Sequence, residues 1–252
     1  MKILCVFLAF LFICGSLLLT GCSSGSSSVL PPLGSPVKVS PIKVALLLDK
    51  SGSANVTRTN QPSFEDLQPV VDRLKLAGGE FALGLVTDNS NKSLLRLRIE
   101  PPPVEPAKPA DEGDAEKIAA EYDEFRQAQS DYLRLLSEWK TETENRVSKF
   151  SSDATELLKT PADAKKTDVF NALNRVDLAL AEKDRVFSED VKKVIILNSD
   201  AQDNVKAKLN KLNSGAKLIV VNGIGSVGSL KDLNPELFES LETAVNQVVK
   251  GV

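Results

Sequence analysis

The chain has 252 residues, 42% of them hydrophobic and 26% charged, a composition that suits one globular domain with a sizeable core plus appendages. Its formal net charge is -3 and no long stretch is dominated by Lys or Arg, which argues against nucleic acid as the main partner, since phosphate binding needs concentrated positive charge. There is no histidine, so His-based triads, His proton transfer near neutral pH and His-ligated zinc are excluded.

Lys2 precedes an apolar run over residues 3–19, interrupted only by small residues such as Gly15 and Ser16. The run has the length of a signal-peptide core and is marginal for a spanning helix. It ends in Leu19-Thr20-Gly21-Cys22 and turns abruptly polar with Ser23, Ser24, Gly25 and three more serines. An uncleaved anchor, or a signal cut elsewhere, also fits an apolar run. The small residues followed by a cysteine resemble the bacterial lipobox, in which diacylglycerol is added to the Cys and the chain is cut just before it. That resemblance implies a lipoprotein signal peptide over residues 1–21 and an acylated, palmitate-bearing Cys22. It further implies attachment to a membrane of the cell envelope, with Ser23 favouring the outer membrane where one exists. Cys5 and Cys14 would be removed with the signal, leaving no thiol for a disulfide.

Residues 22–41, rich in Ser, Pro and Gly, read as a flexible tether, and residues 42–252 as the folded part. Residues 42–48 carry a continuous apolar run from Val44 to Leu48, the pattern of a strand buried on both faces of a parallel sheet. Residues 63–76 place Phe64, Leu67, Val71 and Leu74 on one helical face, with Ser63 as N-cap and Asp66 three residues on. Pro69 inside this stretch means that the helix either kinks or starts there. Residues 81–86 follow Gly78-Gly79 as a second buried strand. Residues 94–99 alternate Leu95, Leu97 and Ile99 with Arg96 and Arg98, as a half-exposed edge strand does.

Residues 100–160 stand apart as an insertion. Residues 100–113 contain five prolines and several charges, a stiff extended linker. Residues 114–158 are highly charged, with Ile118, Tyr122, Phe125, Tyr132, Leu136, Trp139 and Phe150 on one helical stripe. Such a helix either packs on its own domain or projects as an arm that docks another protein. Two further strands, 194–197 and 218–221, are flanked by helical patterns. Asn234-Pro235 has the look of an N-cap and first position for a last helix carrying Leu237, Phe238, Leu241, Val245 and Val248. No sixth strand is legible after Val221. Strands alternating with helices predict an α/β fold with a mostly parallel central sheet.

Asp49-Lys50-Ser51-Gly52-Ser53 directly follows the first buried strand, so an acid and two hydroxyls at alternate positions fall on one side of a loop. Hard oxygens of this kind are what Mg²⁺ prefers, and three of them do not fill its octahedral shell. Thr167 opens a later helix, and the strand ending at Leu197 delivers Asp200. Taken singly, these residues also fit turns and caps. Together, in this order and at these element boundaries, they resemble the metal-ion-dependent adhesion site of von Willebrand factor A domains. The resemblance covers residues 42–99 and 165–249 and implies a three-layer, Rossmann-like fold. It implies that Ser51 and Ser53 bind Mg²⁺ (or Mn²⁺ or Ca²⁺) directly. Asp49 would act through water and hydrogen bonds, and Thr167 and Asp200 directly or through water. A carboxylate of a protein partner would complete the shell. The sequence departs from the family pattern at Ala201, where Gly is usual, and at Ala54, where a bulky apolar residue is common. Asp203 could sit near the rim of the site and tune its field, but reads first as an exposed residue in a helix's first turn.

These readings point to a membrane-tethered, non-enzymatic module that binds a protein partner through Mg²⁺. The alternative is a structural or assembly lipoprotein that acts through the 100–160 insertion, with a vestigial metal site. An enzyme is not expected. Ser51 and Ser53 lack a histidine base, and Lys50 beside Ser51 is not positioned as one by adjacency alone.

Overall fold

The computed structural model describes residues 39–250, apart from 53–61, 91–92, 111–112, 184–185, 188–190, 204, 206–207 and 224–226. All described residues belong to one compact unit, Val39–Val252. The signal peptide, Cys22, nearly all of the tether, Ser53 and Ala54 therefore lie outside the described residues. Among the described residues, no helix is long and apolar enough to cross a membrane.

The continuous apolar runs become strands covered on both faces. β1 (Ile42–Asp49) and β2 (Gly79–Val86) are buried at every position. They pair in parallel, and β1 pairs in parallel on its other side with β4 (Lys192–Asn198). β5 (Lys217–Val221) and β6 (Glu236–Phe238) extend that side, again in parallel. β3 (Leu95–Ile99) closes the opposite edge antiparallel to β2, giving the order β3-β2-β1-β4-β5-β6. The alternation of β3 has the physical meaning its sequence suggests. Leu97 and Ile99 enter the core, while Arg96 pairs with Glu80 at 2.5 Å and with Glu182 at 2.7 Å.

Strand parity distributes the side chains between two cores. Ile42, Val44, Leu46 and Leu48 of β1 join α1 (Gln68–Ala77), the end of α2 (Ala115–Leu158) and α4 (Leu241–Lys250) on one face. Ala45 and Leu47 meet α3 (Val169–Ala181) on the other. The result is an α/β fold with a mixed, mostly parallel sheet and helices on both faces, compatible with a Rossmann-like architecture.

One alternative is decided and two expectations are corrected. Pro69 marks a helix start: a 3-10 turn, Glu65–Leu67, leads into α1 with Pro in its first turn. Ser63 is not the N-cap: Phe64 holds that position without a side-chain cap bond, and Ser63 instead donates to Asp66 from both its backbone N–H and its hydroxyl. The last helix does not begin at Asn234-Pro235. Residues 236–238 instead pair with the edge of β5 as a sixth strand, and α4 starts at Leu241. Ser240 is the cap that the sequence reading missed, accepting from Thr243 N at 3.2 Å. Between α1 and β2 the chain reverses through Gly78 (φ +77°) and Gly79 (φ +137°), where a β-carbon on Gly79 would lie 2.1 Å from Ile42 O.

The insertion resolves into two parts. α2 is an unbroken helix of 44 residues, about 66 Å long at 1.5 Å per residue. Its C-terminal part belongs to the core through Phe150, Ala154 and Leu158, with Phe150 against Phe81 and Phe64. Before Thr143 no residue of α2 is buried, and before Trp139 none packs against the core. That half meets the proline-rich segment instead. Trp139 Nε1 donates to Glu100 O at 2.9 Å, and Lys108 Nζ lies over the Tyr122 ring. The two spans match: polyproline II carries the chain about 25 Å from Glu100 to Lys108, and the helix about 25 Å from Trp139 back to Tyr122. Pro102, Pro103, Pro106 and Pro109 are half-buried, so four of the five prolines supply the covered face of the segment. The segment is thus a brace laid along the helix: the inner half of the stripe packs on its own domain, and the outer half meets the proline-rich segment.

This division predicts unequal costs. Phe150→Ala should destabilise by about 3–5 kcal/mol, whereas Leu133→Ala, 58% exposed on the outer half, should change stability by less than about 0.5 kcal/mol in urea unfolding. Comparable losses at both positions would contradict the assignment.

Candidate functional site

In an open α/β sheet the crevice for ligands lies beyond the strand C-termini where strand order reverses. Here β1 leads through α1 to β2 on one side, while β4 pairs with β1 on the other, so the reversal lies at the ends of β1 and β4. β1 ends with Asp49, and Asp200 follows β4 by two residues.

Asp49 is 2% exposed. Its Oδ1 accepts from Ser51 N at 2.7 Å and its Oδ2 from the Ser199 hydroxyl at 2.5 Å, while Ser199 Oγ accepts from Ala201 N at 2.9 Å. Asp49 therefore links the two loops. Burial pushes its carboxyl above the usual carboxylate range, hydrogen bonds from Ser199 and Ser51 oppose that shift, and the nearby Asp200 carboxylate adds to it. Asp200 Oδ1 accepts from Gln202 N at 3.0 Å, the turn role that a loop aspartate often takes, yet its Oδ2 is buried without a partner. Ala201 adopts φ +60° while fully buried, so the loop makes the left-handed turn for which glycine is the relaxed choice.

Thr167 is 1% exposed, and its hydroxyl likewise has no partner. It is not the cap of α3: that position falls to Asp168, which makes no side-chain cap bond. The N-terminus of α3 is satisfied from across the site, where Val169 N donates to Asp203 Oδ1 at 3.0 Å. Asp203 is thus not the exposed first-turn residue that the sequence suggests, but a clasp between the β4 loop and α3. Asp168 ties the same region to the β2 loop, its N–H donating to Thr87 O at 3.0 Å. The segment before Thr167 is joined to the β1 loop. Ala164 bridges Ser51, with Gly52 N donating to Ala164 O at 3.0 Å and Ala164 N to Lys50 O at 3.1 Å. Nothing in the sequence marks Ser199 as a working residue, and for Asp203 it favours an exposed turn over a place at the rim. Only their bonds across the rim reveal their roles.

The structure therefore brings Asp49, Ser51 and Asp200 to one rim, with Thr167 on a segment bonded to the loops on either side. Ser53 lies outside the described residues. Among the described residues, no three carboxylates, Cys or His gather into a cation-holding group. The rim offers two carboxylates and two hydroxyls instead. Thr167 Oγ1, Asp168 Oδ1 and Asp200 Oδ2 are buried without a partner, and an unsatisfied buried polar group costs about 1–3 kcal/mol. The donor set is hard oxygen throughout, which suits Mg²⁺.

No protein-family model matches the chain, and no curated protein matches it. Among solved structures it is similar to proximal thread matrix protein 1 from the mussel byssus, at TM-score 0.42 and 12% identity, over 83% of this chain and 47% of that one. It is also similar to the pilus adhesin SpaC from Lactobacillus rhamnosus GG in an open conformation. That match has TM-score 0.43 and 11% identity over 84% of this chain and 30% of that one. The chain spans about half the length of the matrix protein and less than a third of the adhesin.

The coupling of Asp49 to Asp200 has a measurable sign. A carboxyl held above its unfolded value contributes stability below about pH 4, and loses that contribution as pH rises through the raised value. In EDTA at pH 7, Asp200→Asn should be at least as stable as wild type, by about 1 kcal/mol, and the gap should narrow toward about pH 4. A loss above about 1 kcal/mol in chemical unfolding would contradict a repulsive pair.

Proposed function

We propose that this is a membrane-tethered, non-enzymatic binding module of the von Willebrand factor A type, which engages an acidic residue of a protein partner through Mg²⁺. The observation that carries the reading is the pair of buried, partnerless oxygens, Thr167 Oγ1 and Asp200 Oδ2, at the strand-order reversal that also holds Asp49 and Ser51. Ser51, Ser53, Thr167 and Asp200 would hold the cation, and Asp49 would orient the loop from behind, as its bonds to Ser51 and Ser199 suit it to do. When bound, the cation supplies a Lewis-acidic position open to an anionic oxygen. Two carboxylates balance its charge and leave that position able to accept a third anionic group. Mn²⁺ or Ca²⁺ would meet the same donor set with different geometric demands.

A binding role is favoured over catalysis by the chemistry at hand. No histidine is present to activate Ser51, and the adjacent Lys50 is committed to a main-chain carbonyl, Leu158 O, at 2.8 Å. The proposed attachment is an acylated Cys22 at the start of the tether, which would hold the domain at a membrane of the cell envelope, outside the cytoplasm. The second reading, an assembly lipoprotein acting through the insertion, draws on the outer half of α2, which is not used by the core.

Isothermal titration should show Mg²⁺ uptake by the wild type, and loss of at least about tenfold in affinity for Asp49→Ala and Thr167→Ala, about 1.4 kcal/mol or more. Partner capture from envelope extracts should be abolished by EDTA. Identical uptake by all three proteins would overturn the site. Capture that ignores EDTA but is lost on deleting residues 100–159 would favour the second reading. Mass spectrometry of the mature protein should find a diacylglycerol-modified Cys22 at the N-terminus, and an unmodified Cys22 would remove the tether.

A further inference from the structure

The long helix and the metal loop meet at a residue that the site reading leaves unused. Lys50 lies between Asp49 and Ser51, and in an extended segment neighbouring side chains leave on opposite faces. Asp49 follows Ala45 and Leu47 in parity, toward α3. Lys50 follows Leu46 and Leu48, toward the face that holds the end of α2. It is 1% exposed, and its ammonium donates to Leu158 O at 2.8 Å. Leu158 is the last residue of α2, so its carbonyl is one of those that a helix leaves without an internal partner, at the end where a cation is favoured. A buried ammonium is costly and needs such an acceptor; an apolar side chain would fill the same space for less.

Beyond Leu158 the chain stays attached to the site. Ala164 is bonded on both sides to the Lys50–Gly52 backbone, and Asp168 N donates to Thr87 O. Thr167 lies inside this run. The helix exit is therefore held at three points by loops of the site, and it carries one of the proposed ligands. Upstream, α2 is unbroken and braced by the proline-rich segment, so a displacement of the outer half would reach the last turn without a hinge among the described residues.

We propose that Lys50 is a positioning residue that locks the last turn of α2 to the loop bearing Ser51, so that cation binding and the placement of the arm are thermodynamically linked. The inference rests on the Mg²⁺ reading above. Linkage is reciprocal: a cation that fixes Ser51 and Thr167 also fixes the base of the arm, and a partner that shifts the arm alters cation affinity.

The test is amide hydrogen exchange on the mature protein with and without Mg²⁺, together with isothermal titration of Mg²⁺. Wild-type residues 154–158 and 164–168 should exchange about tenfold more slowly with Mg²⁺ bound. Lys50→Met keeps the side-chain volume but removes the bond. It should weaken Mg²⁺ binding about tenfold and abolish the Mg²⁺-dependent protection of residues 154–158. Val71→Ala, in the core of α1 away from this contact, should lower stability and leave Mg²⁺ affinity unchanged, so a general loss of stability does not mimic the effect. If wild-type Mg²⁺ uptake is intact but exchange at residues 154–158 does not respond, the coupling is refuted while the metal site survives. If the wild type takes up no Mg²⁺, both fail together. The wild-type comparison decides the matter even where Lys50→Met does not fold.

Discussion

Two carboxylates, Asp49 and Asp200, are brought to one buried rim by the reversal of strand order between β1 and β4. Neither position is free to move. Asp49 ends a strand buried on both faces and hydrogen-bonded on both sides, and Asp200 lies two residues beyond the partner strand in register with it. Burial of the Asp49 carboxyl is a consequence of the topology; the nearby Asp200 adds to its cost, and hydrogen bonds from Ser199 and Ser51 oppose it. Ser51 and Ser199 satisfy Asp49, while one oxygen of Asp200 and the Thr167 hydroxyl have no partner. A fold that leaves buried polar oxygens unsatisfied beside a buried carboxylate carries a local cost at this rim.

The remainder of the rim holds that arrangement in place. Asp203 clasps the N-terminus of α3, Asp168 and Ala164 tie the Thr167 segment to the β2 and β1 loops, and Ala201 takes a left-handed turn without the help of glycine. These are bonds between loops distant in sequence, and they convert separate strand ends into one rigid rim. The long helix enters the same scheme. Its inner half completes the core on one face of the sheet, its outer half lies along a proline brace, and its last carbonyl receives the Lys50 ammonium beside the rim.

Much of the sheet was legible because burial on both faces leaves an unmistakable pattern. Unbroken apolar runs mark β1, β2, β4 and β5, and the Leu-Arg alternation marks β3 as an edge. β6 was hidden because three residues carry no periodicity, and Asn234-Pro235 imitates a helix start while Ser240 holds the real cap. The candidate ligands were legible as residue types at element boundaries. Their supporting partners were not. Ser199 and Asp203 look like ordinary loop residues until the fold sets them against Asp49 and Val169. The insertion was ambiguous for a physical reason: one amphipathic stripe serves the core along its inner half and a polyproline brace along its outer half, and the stripe alone does not reveal where the change occurs.

The central claim is that oxygens from three separate chain segments converge on one hard cation. Anomalous diffraction from crystals soaked in Mn²⁺ addresses it directly, since Mn²⁺ shares the oxygen chemistry of Mg²⁺ and scatters anomalously. The account predicts a single strong peak between Ser51, Thr167 and Asp200, within coordination distance of their side-chain oxygens. A well-occupied Mn²⁺ elsewhere on the protein, with no density between those three residues, would contradict it.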